Sequence, residues 1–344
     1  MRKLFWLLGI ILADSFCVSG QLYDIYSSRY YDSYASRMFV DFDYKPGAVS
    51  EKIKSGSLTS NYANAVNASA SDLVFNNGKS NAYNLGVGIY LDKNRTIGIG
   101  VGISYAKQEG TLNVDSFHVE YSATDYKGNI FRQLITAPAG ISETVKATNI
   151  SIPFYVCYRR KLVQDMLFAA YAGILYNSQM QYSYSTSSTF NYEAIYKFQV
   201  SGGNLSYSYD NAPTPGGNDW LITQAEFNKV NSQGDMTAYF AHMQSTGYNV
   251  GLDQTVNAKS GQIAFKQNSI GYFVQAGVNY LITDRFFGKV GLYFSSQSFK
   301  NSAVNQQMLV SPTTGTYISL MNYVTQVNLI SYGVSFGVGY YFLK

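Results

Sequence analysis

Between Ser331 and Phe342 the chain alternates between two kinds of residue. Tyr332, Val334, Phe336, Val338, Tyr340 and Phe342 fall on one face of an extended strand, and Gly333, Ser335, Gly337, Gly339 and Tyr341 on the other, because successive strand residues point to opposite faces. A soluble sheet buries its apolar face and wets its polar one. Here the second face is nearly bare of side chains and could hardly fill a core, so the pattern suits a wall with lipid outside and a narrow interior within.

The signature recurs. In Asn81 to Leu91, Tyr83, Leu85, Val87, Ile89 and Leu91 alternate with Asn84, Gly86, Gly88 and Tyr90. In Thr96 to Ala106, Ile97, Ile99, Val101, Ile103 and Tyr105 alternate with Gly98, Gly100, Gly102, Ser104 and Ala106. The polar segment Asp92-Lys-Asn-Arg95 between them reads as a tight hairpin turn. Further strands are expected at 38–44, 149–160, 166–177, 270–280 and 286–296, with Lys45-Pro-Gly47 ending the first of these. Pro153 lacks a ladder donor and predicts a bulge or gap. The pattern of 166–177 leaves its facing undecided.

With 331–342 this makes eight strands, joined by short turns at 92–95, 161–165 and 281–285 and by long connections at about 45–80, 107–147, 180–268 and 299–328. Short and long connections alternate strictly. In an antiparallel meander this gathers all short turns at one rim and all long loops at the other, as in transmembrane barrels. The expected fold is all-β, an eight-stranded antiparallel transmembrane β-barrel with long extracellular loops. A soluble lipocalin-like barrel, the structural rival, leaves the loop sorting unexplained. Phe117 to Ile135 is expected to project as a hairpin turning at Asp125-Tyr-Lys-Gly128. In the third long loop, capping signals at Thr223 to Glu226 and at Asp235 predict a small helical cap ending near Gly247.

Arg2 and Lys3, the apolar run Leu4 to Ala13, and the small residues Val18 and Gly20 predict a signal peptide over 1–20, cleaved before Gln21. Cys17 raises a lipoprotein alternative, against which Phe16 stands in a small-residue position. Residues 21–36 read as a periplasmic leader and 37–344 as one barrel domain. Without Cys17, Cys157 stands alone and no internal disulfide can form. The mature chain carries 23 basic and 20 acidic residues without a basic cluster, which gives no reason to expect nucleic acid.

Catalytic constellations are not legible. The two histidines, His118 and His242, sit far apart in loop regions, with no nucleophile elbow, paired-carboxylate motif or metal-ligand spacing. The expectation is a non-enzymatic protein with no cofactor and no metal, an enzyme built on His118 or His242 being the weaker alternative. An eight-stranded barrel is only wide enough for side chains to fill. Tyr90, Tyr155, Arg159, Gln275, Asn279 and Lys289 face inward by the alternation, over the glycines of neighbouring strands, and predict a packed polar interior rather than a narrow transport channel or ligand cavity. Cys157 reads as a small filler there. Arg159 and Lys289 then need partners, which water or acids such as Glu109 and Asp115 would supply.

The segment Asn149-Ile-Ser-Ile-Pro-Phe-Tyr-Val-Cys-Tyr-Arg-Arg160, with an Ile-Pro pair, an apolar run and a basic end, resembles a strand of the outer-membrane β-barrel proteins of the Bacteroidetes. The Gln21 start, the glycine-alternating hairpin and the aromatic last strand are similar to that family as well. The resemblance covers the barrel strands and implies an eight-stranded barrel of the OmpA/OmpX kind in the bacterial outer membrane, with no defined activity. The partners implied are outer-membrane lipid, the barrel assembly machinery, which would read Tyr340 and Phe342 as its signal, and an extracellular or envelope protein. Surface recognition or a structural envelope role is expected of the loops, with a secretion-accessory role as an alternative by analogy.

Overall fold

A computed structural model of the chain describes residues 37–62, 65–124, 130–163, 165–200, 203–207, 213–214, 221–222, 242, 245–246, 260–264, 269–283, 285–301, 307–310 and 317–342. The signal peptide, the leader, Leu343 and Lys344 lie outside these residues. So does the helical cap apart from His242, Ser245 and Thr246, where the Thr246 N–H donates to the His242 carbonyl over 3.1 Å.

The strands are β1 (Met38–Ser55), β2 (Ala65–Ala70), β3 (Val74–Tyr90), β4 (Ile97–Val114), β5 (Phe117–Thr124), β6 (Ile130–Thr136), β7 (Ile141–Val163), β8 (Met166–Thr186), β9 (Asn191–Val200), β10 (Gly203–Tyr207), β11 (Pro213–Thr214), β12 (Leu221–Ile222), β13 (Ser260–Ala264), β14 (Ser269–Leu281), β15 (Phe286–Lys300) and β16 (Val324–Phe342). Eight of them close into an antiparallel ring in the order β1, β3, β4, β7, β8, β14, β15, β16, with β16 returning to pair β1 from Phe342↔Met38 upward. The ring leaves no open edge at the level of the apolar belt, the condition for a sheet in lipid.

β7 shows how the wall is built. Its residues alternate between buried and accessible over nearly the whole length. Outward it presents Ser142, Thr144, Lys146 and Thr148, then Ile150, Ile152, Phe154, Val156 and Tyr158, then Arg160. Inward it presents Ile141, Glu143, Val145 and Ala147, then Asn149 and Ser151, then Tyr155, Cys157 and Arg159. The polarity therefore inverts part-way along one unbroken strand. Below the inversion the outside is apolar, and the other strands extend the same belt: Ile103, Leu292 and Ile270 are 60–66 % exposed, and Phe336 is 49 % exposed. A belt of half-exposed aliphatic and aromatic side chains right around a closed barrel is the outer surface of a transmembrane β-barrel. Above the inversion the wall behaves like a soluble sheet, with apolar residues inside.

That inversion explains where the expected loops were too long. The wall does not stop at Tyr44: β1 runs through Pro46 and Gly47 to Ser55, and only its ladder to β16 skips Lys45 and Pro46, where proline has no N–H to give. Likewise the ends of the other three long connections are barrel strand, at 107–114 and 141–147, at 180–186, and at 299–300 and 324–328, because period-2 alternation continues there in the opposite sense. The gap expected at Pro153 is present, the β4 ladder passing from Val101↔Phe154 to Ser104↔Ser151. The strand of undecided facing points Leu167, Ala169, Tyr171 and Leu175 inward.

A second sheet, in the order β11, β10, β9, β6, β5, β2 with β12 beside β9, sits among the long connections. It includes the expected hairpin, β5 on β6, whose turn falls outside the described residues. Phe117, Val119, Tyr121 and Ile135 of this sheet share one core with Val49, Leu112, Val145, Met180, Tyr182, Phe299 and Val327 of the barrel wall. The 3₁₀ turn Leu320–Tyr323 joins the same core. Each such side chain withdrawn from water contributes about 1.5–3 kcal/mol, so the second sheet is fastened to the barrel mouth by an ordinary hydrophobic core.

Candidate functional site

The barrel interior brings the sequence-singled residues together: Tyr90, Arg159, Gln275, Asn279 and Lys289 are all between 0 and 7 % exposed. It is layered. Nearest the short turns, Phe39, Tyr90, Phe287 and Tyr341 stack as an aromatic floor, with Phe287 and Tyr341 rings 4.6 Å apart. The Arg159 guanidinium lies 3.8 Å from the Tyr90 ring centre and 5.1 Å from that of Tyr341, and its Nε–H donates to the Arg95 carbonyl over 2.8 Å. Arg95 takes a positive φ of 54° in the turn. A buried cation is tolerable here because ring faces and a carbonyl replace its water.

Above the floor sits a cluster of charge. Val40, Phe42 and Tyr44 face lipid, so strict alternation turns Asp41, Asp43 and Lys45 inward, each 5 % exposed. Lys289 Nζ donates to Asp41 Oδ2 over 2.7 Å and to Asp43 Oδ2 over 3.0 Å, and lies 4.0 Å from the Tyr171 ring centre. Lys45 Nζ stands 3.9 Å from Asp43 Oδ2. Gln275 Nε2 donates to Asp43 Oδ2 over 3.4 Å and to Ser335 Oγ over 3.2 Å. Two aspartates and two lysines make the group neutral.

β16 makes this meeting possible. Asp43 pairs with Gly337, and Gly337 pairs with Lys289, so the lysine must cross a whole strand to reach its partners. A Cβ at Gly337 would run into the Asp43 carboxylate, and one at Gly339 into the Phe287 ring. The bare face of the last strand is the floor over which β1 and β15 touch.

The partners expected for the inward cations are therefore corrected. Glu109 faces outward and pairs with Lys146 at 3.7 Å, and exposed Asp115 lies beyond the end of β4, beside Ser71. The acids that serve Lys289 are Asp41 and Asp43, and strict alternation over Met38 to Tyr44 is the sequence signal that turns them inward. The packed interior is also less polar than expected, since its floor is aromatic. Cys157 is 1 % exposed, its sulfur close to where a Cβ of Gly98 would lie.

An amide layer follows, in which Asn149 Nδ2 donates to Gln297 Oε1 (2.5 Å) and Asn177 Oδ1 (3.1 Å), and Gln108 Nε2 donates to Ser331 Oγ (2.8 Å). Beside the ion cluster lies a cavity of about 20 Å³ bordered by Asp43, Tyr155, Gln275 and Lys289 among others. That is room for about one water.

Higher still, in the soluble-like half, Glu143 is fully buried, on a segment where the sequence predicts loop and so advertises no inward face. Its carboxylate accepts from Tyr317 Oη (2.8 Å), Ser319 Oγ (2.6 Å) and the Leu320 N–H (3.1 Å), tying β7 to the turn that opens β16. Burial pushes its carboxyl up to about 7 against the pull of these hydrogen bonds. Glu51, near the Tyr182 hydroxyl at 3.5 Å, is pushed by burial up to about 8.

His118 stands on the outward side of β5, between Ser69 and Thr136, and His242 lies in the third long connection. At the short-turn rim Tyr340 and Phe342 lie on the outer surface, their rings 5.3 Å apart, with Phe286 against Tyr340 and Arg285 Nη1 donating to the Tyr340 hydroxyl over 3.0 Å.

The chain is similar to OprG, an outer membrane protein of Pseudomonas aeruginosa, at 8 % identity and a TM-score of 0.29, over 90 % of this chain and 98 % of that one. It is similar to the outer membrane protease OmpT of Escherichia coli at 8 % identity and 0.32, over 90 % and 97 %. Against the translocator domain of the autotransporter NalP of Neisseria meningitidis the values are 7 % and 0.23, over 99 % and 96 %. No protein-family model and no curated protein matches the chain.

Proposed function

We propose that this is a non-enzymatic outer-membrane β-barrel whose wall anchors a folded extracellular β-sheet used for surface recognition or as an envelope structure. The observation that carries this is the inversion of polarity along single strands: one half of the wall is dressed for lipid and the other, with the second sheet, for water. The aromatic floor and the ion pairs that cross the lumen support an anchor rather than a channel. A cleaved export signal brings the chain to the outer membrane, Tyr340 and Phe342 present the aromatic end that assembly machinery recognises, and the strand 149–160 supports kinship with Bacteroidetes barrels.

Cysteine labelling tests the arrangement. Ser69→Cys, on the second sheet, should react with a membrane-impermeant maleimide on intact cells, and Thr283→Cys, in a short turn, only after the outer membrane is opened. The reverse pattern, or stepwise conductance of the purified barrel in planar bilayers, would overturn the reading. For recognition, a photoreactive residue at position 69 or 122 should crosslink an envelope or extracellular protein. A surface-labelled barrel that crosslinks nothing from either position leaves the structural role.

A further inference from the structure

Outward rows of side chains cross β1, β3, β4 and β7 in a fixed order. Tyr44, Tyr83, Tyr105 and Ile150 stand in one register row, Pro46, Asn81, Lys107 and Thr148 in the next, and Ala48, Lys79, Glu109 and Lys146 in the one above. The tyrosine row closes the apolar belt: Tyr44 and Tyr83 stack at 5.2 Å, and the Tyr44 hydroxyl donates to Asn81 Oδ1 over 2.9 Å. Successive rows rise about 6.7 Å along a strand, so with a barrel tilt near 40° Lys107 stands about 5 Å above Tyr105, Lys79 about 10 Å above Tyr83 and Lys146 about 10 Å above Ile150. Headgroups occupy a layer about 5–8 Å deep beyond the hydrocarbon. All three lysines are exposed, and their flexible stems reach down into that layer. Lys107 lies over the Tyr105 ring at 5.6 Å, and Glu109 offsets part of the charge through Lys146. Lys79 and Lys146 flank Glu109 two strands apart, about 10 Å. On the far side of the ring, the outward positions above the belt on β8, β14, β15 and β16 carry one cation among the described residues, Lys300.

We infer that Lys79, Lys107 and Lys146 form a one-sided site for the phosphate groups of a glycolipid in the outer leaflet, its acyl chains lying along the aliphatic residues Leu85, Ile103 and Ile150 below. The inference rests on the outer-membrane reading for its setting, and its test does not depend on localisation. Purified barrel in non-ionic detergent is titrated with bis-phosphorylated lipid A, with the same lipid after dephosphorylation, and with inorganic phosphate, and adducts are counted by native mass spectrometry. The phosphorylated lipid should bind, and binding should fall about a hundredfold in the Lys79→Gln/Lys107→Gln/Lys146→Gln variant, from roughly a fivefold factor per lysine at an anionic surface. Glu109→Gln should tighten binding and Lys300→Gln leave it unchanged. Equal binding of the dephosphorylated lipid, or an unaffected triple variant that keeps its heat-dependent gel shift, overturns the site. Binding of inorganic phosphate alone replaces the lipid by a free anion and overturns it too. If the lipid binds in micelles while the cysteine labels fail, the outer-membrane reading falls and the site stands.

Discussion

Glu143 couples the stability of the barrel's long-connection rim to pH, and Glu143→Gln isolates the effect. In the open state the carboxyl titrates near 4.5, and in the folded state at about 7. Between these values the folded form holds a proton that the open form has released. Stability is therefore fully present below about 4.5, is lost as pH rises through about 7, and is level above. The interval corresponds to roughly 3 kcal/mol, or about three hundredfold in the opening equilibrium. Amide exchange of 319–324 in the intact barrel, each rate divided by that of an unstructured peptide at the same pH, should show this loss of protection between pH 5 and 7.5. Glutamine keeps an oxygen for Tyr317 and the Leu320 N–H and an amide for Ser319 Oγ, so Glu143→Gln should hold near-constant protection across the range. Glu143→Ala orphans three donors at about 1–3 kcal/mol each and should lose protection at every pH. The reasoning is refuted if Glu143→Gln retains the wild-type pH slope. Glu51 titrates in the same sense up to about 8, so a residual slope that vanishes in Glu51→Gln/Glu143→Gln belongs to it.

Two further outcomes follow from the interior. Lys289→Met strands Asp41 and Asp43 without their closest cation and should cost about 3–5 kcal/mol in urea unfolding of the vesicle-inserted barrel. Adding Asp41→Asn and Asp43→Asn should recover most of it, and a single variant with wild-type stability would contradict the cluster's coupling. At Gly100 an added Cβ meets the Tyr155 ring, so Gly100→Val should abolish the heat-dependent gel shift and Gly100→Val/Tyr155→Ala partly restore it. A normal shift for Gly100→Val alone would mean the ring has room to move.

How much was legible follows from which face the pattern advertised. The eight strands and the sorting of their connections were readable because the lipid-facing set, such as Ile97 to Tyr105 or Tyr332 to Phe342, is apolar without exception. The inward set is chosen residue by residue for its neighbour on another strand, so alternation places Lys289 inside without naming Asp41 and Asp43 as its partners. The upper wall was lost for a different reason. There lysines and threonines face water and Val145 and Met180 face the core, a pattern that looks like loop when the outward set is expected to be apolar. The second sheet brings its strands together from separate long connections, which local periodicity does not reveal.

The ion cluster's position bears on how the ring closes. Buried ion pairs are weak stabilisers compared with well-packed apolar groups, so stability alone does not account for placing four charges in the lumen. Their distribution does more: Asp41, Asp43 and Lys45 lie on the first strand of the ring and Lys289 on the strand before the last. Every other neighbouring pair in the ring is linked by a connection of this chain, whereas β1 and β16 are its two ends and choose their register without one. A slip of one residue there would turn Asp41 and Asp43 into lipid and bring Val40 and Phe42 inside. Lys289, held by β15 and reaching across the bare Gly337, rewards only the register in which both carboxylates meet it. The glycines of the closing strand thus let the strand before it certify the closure.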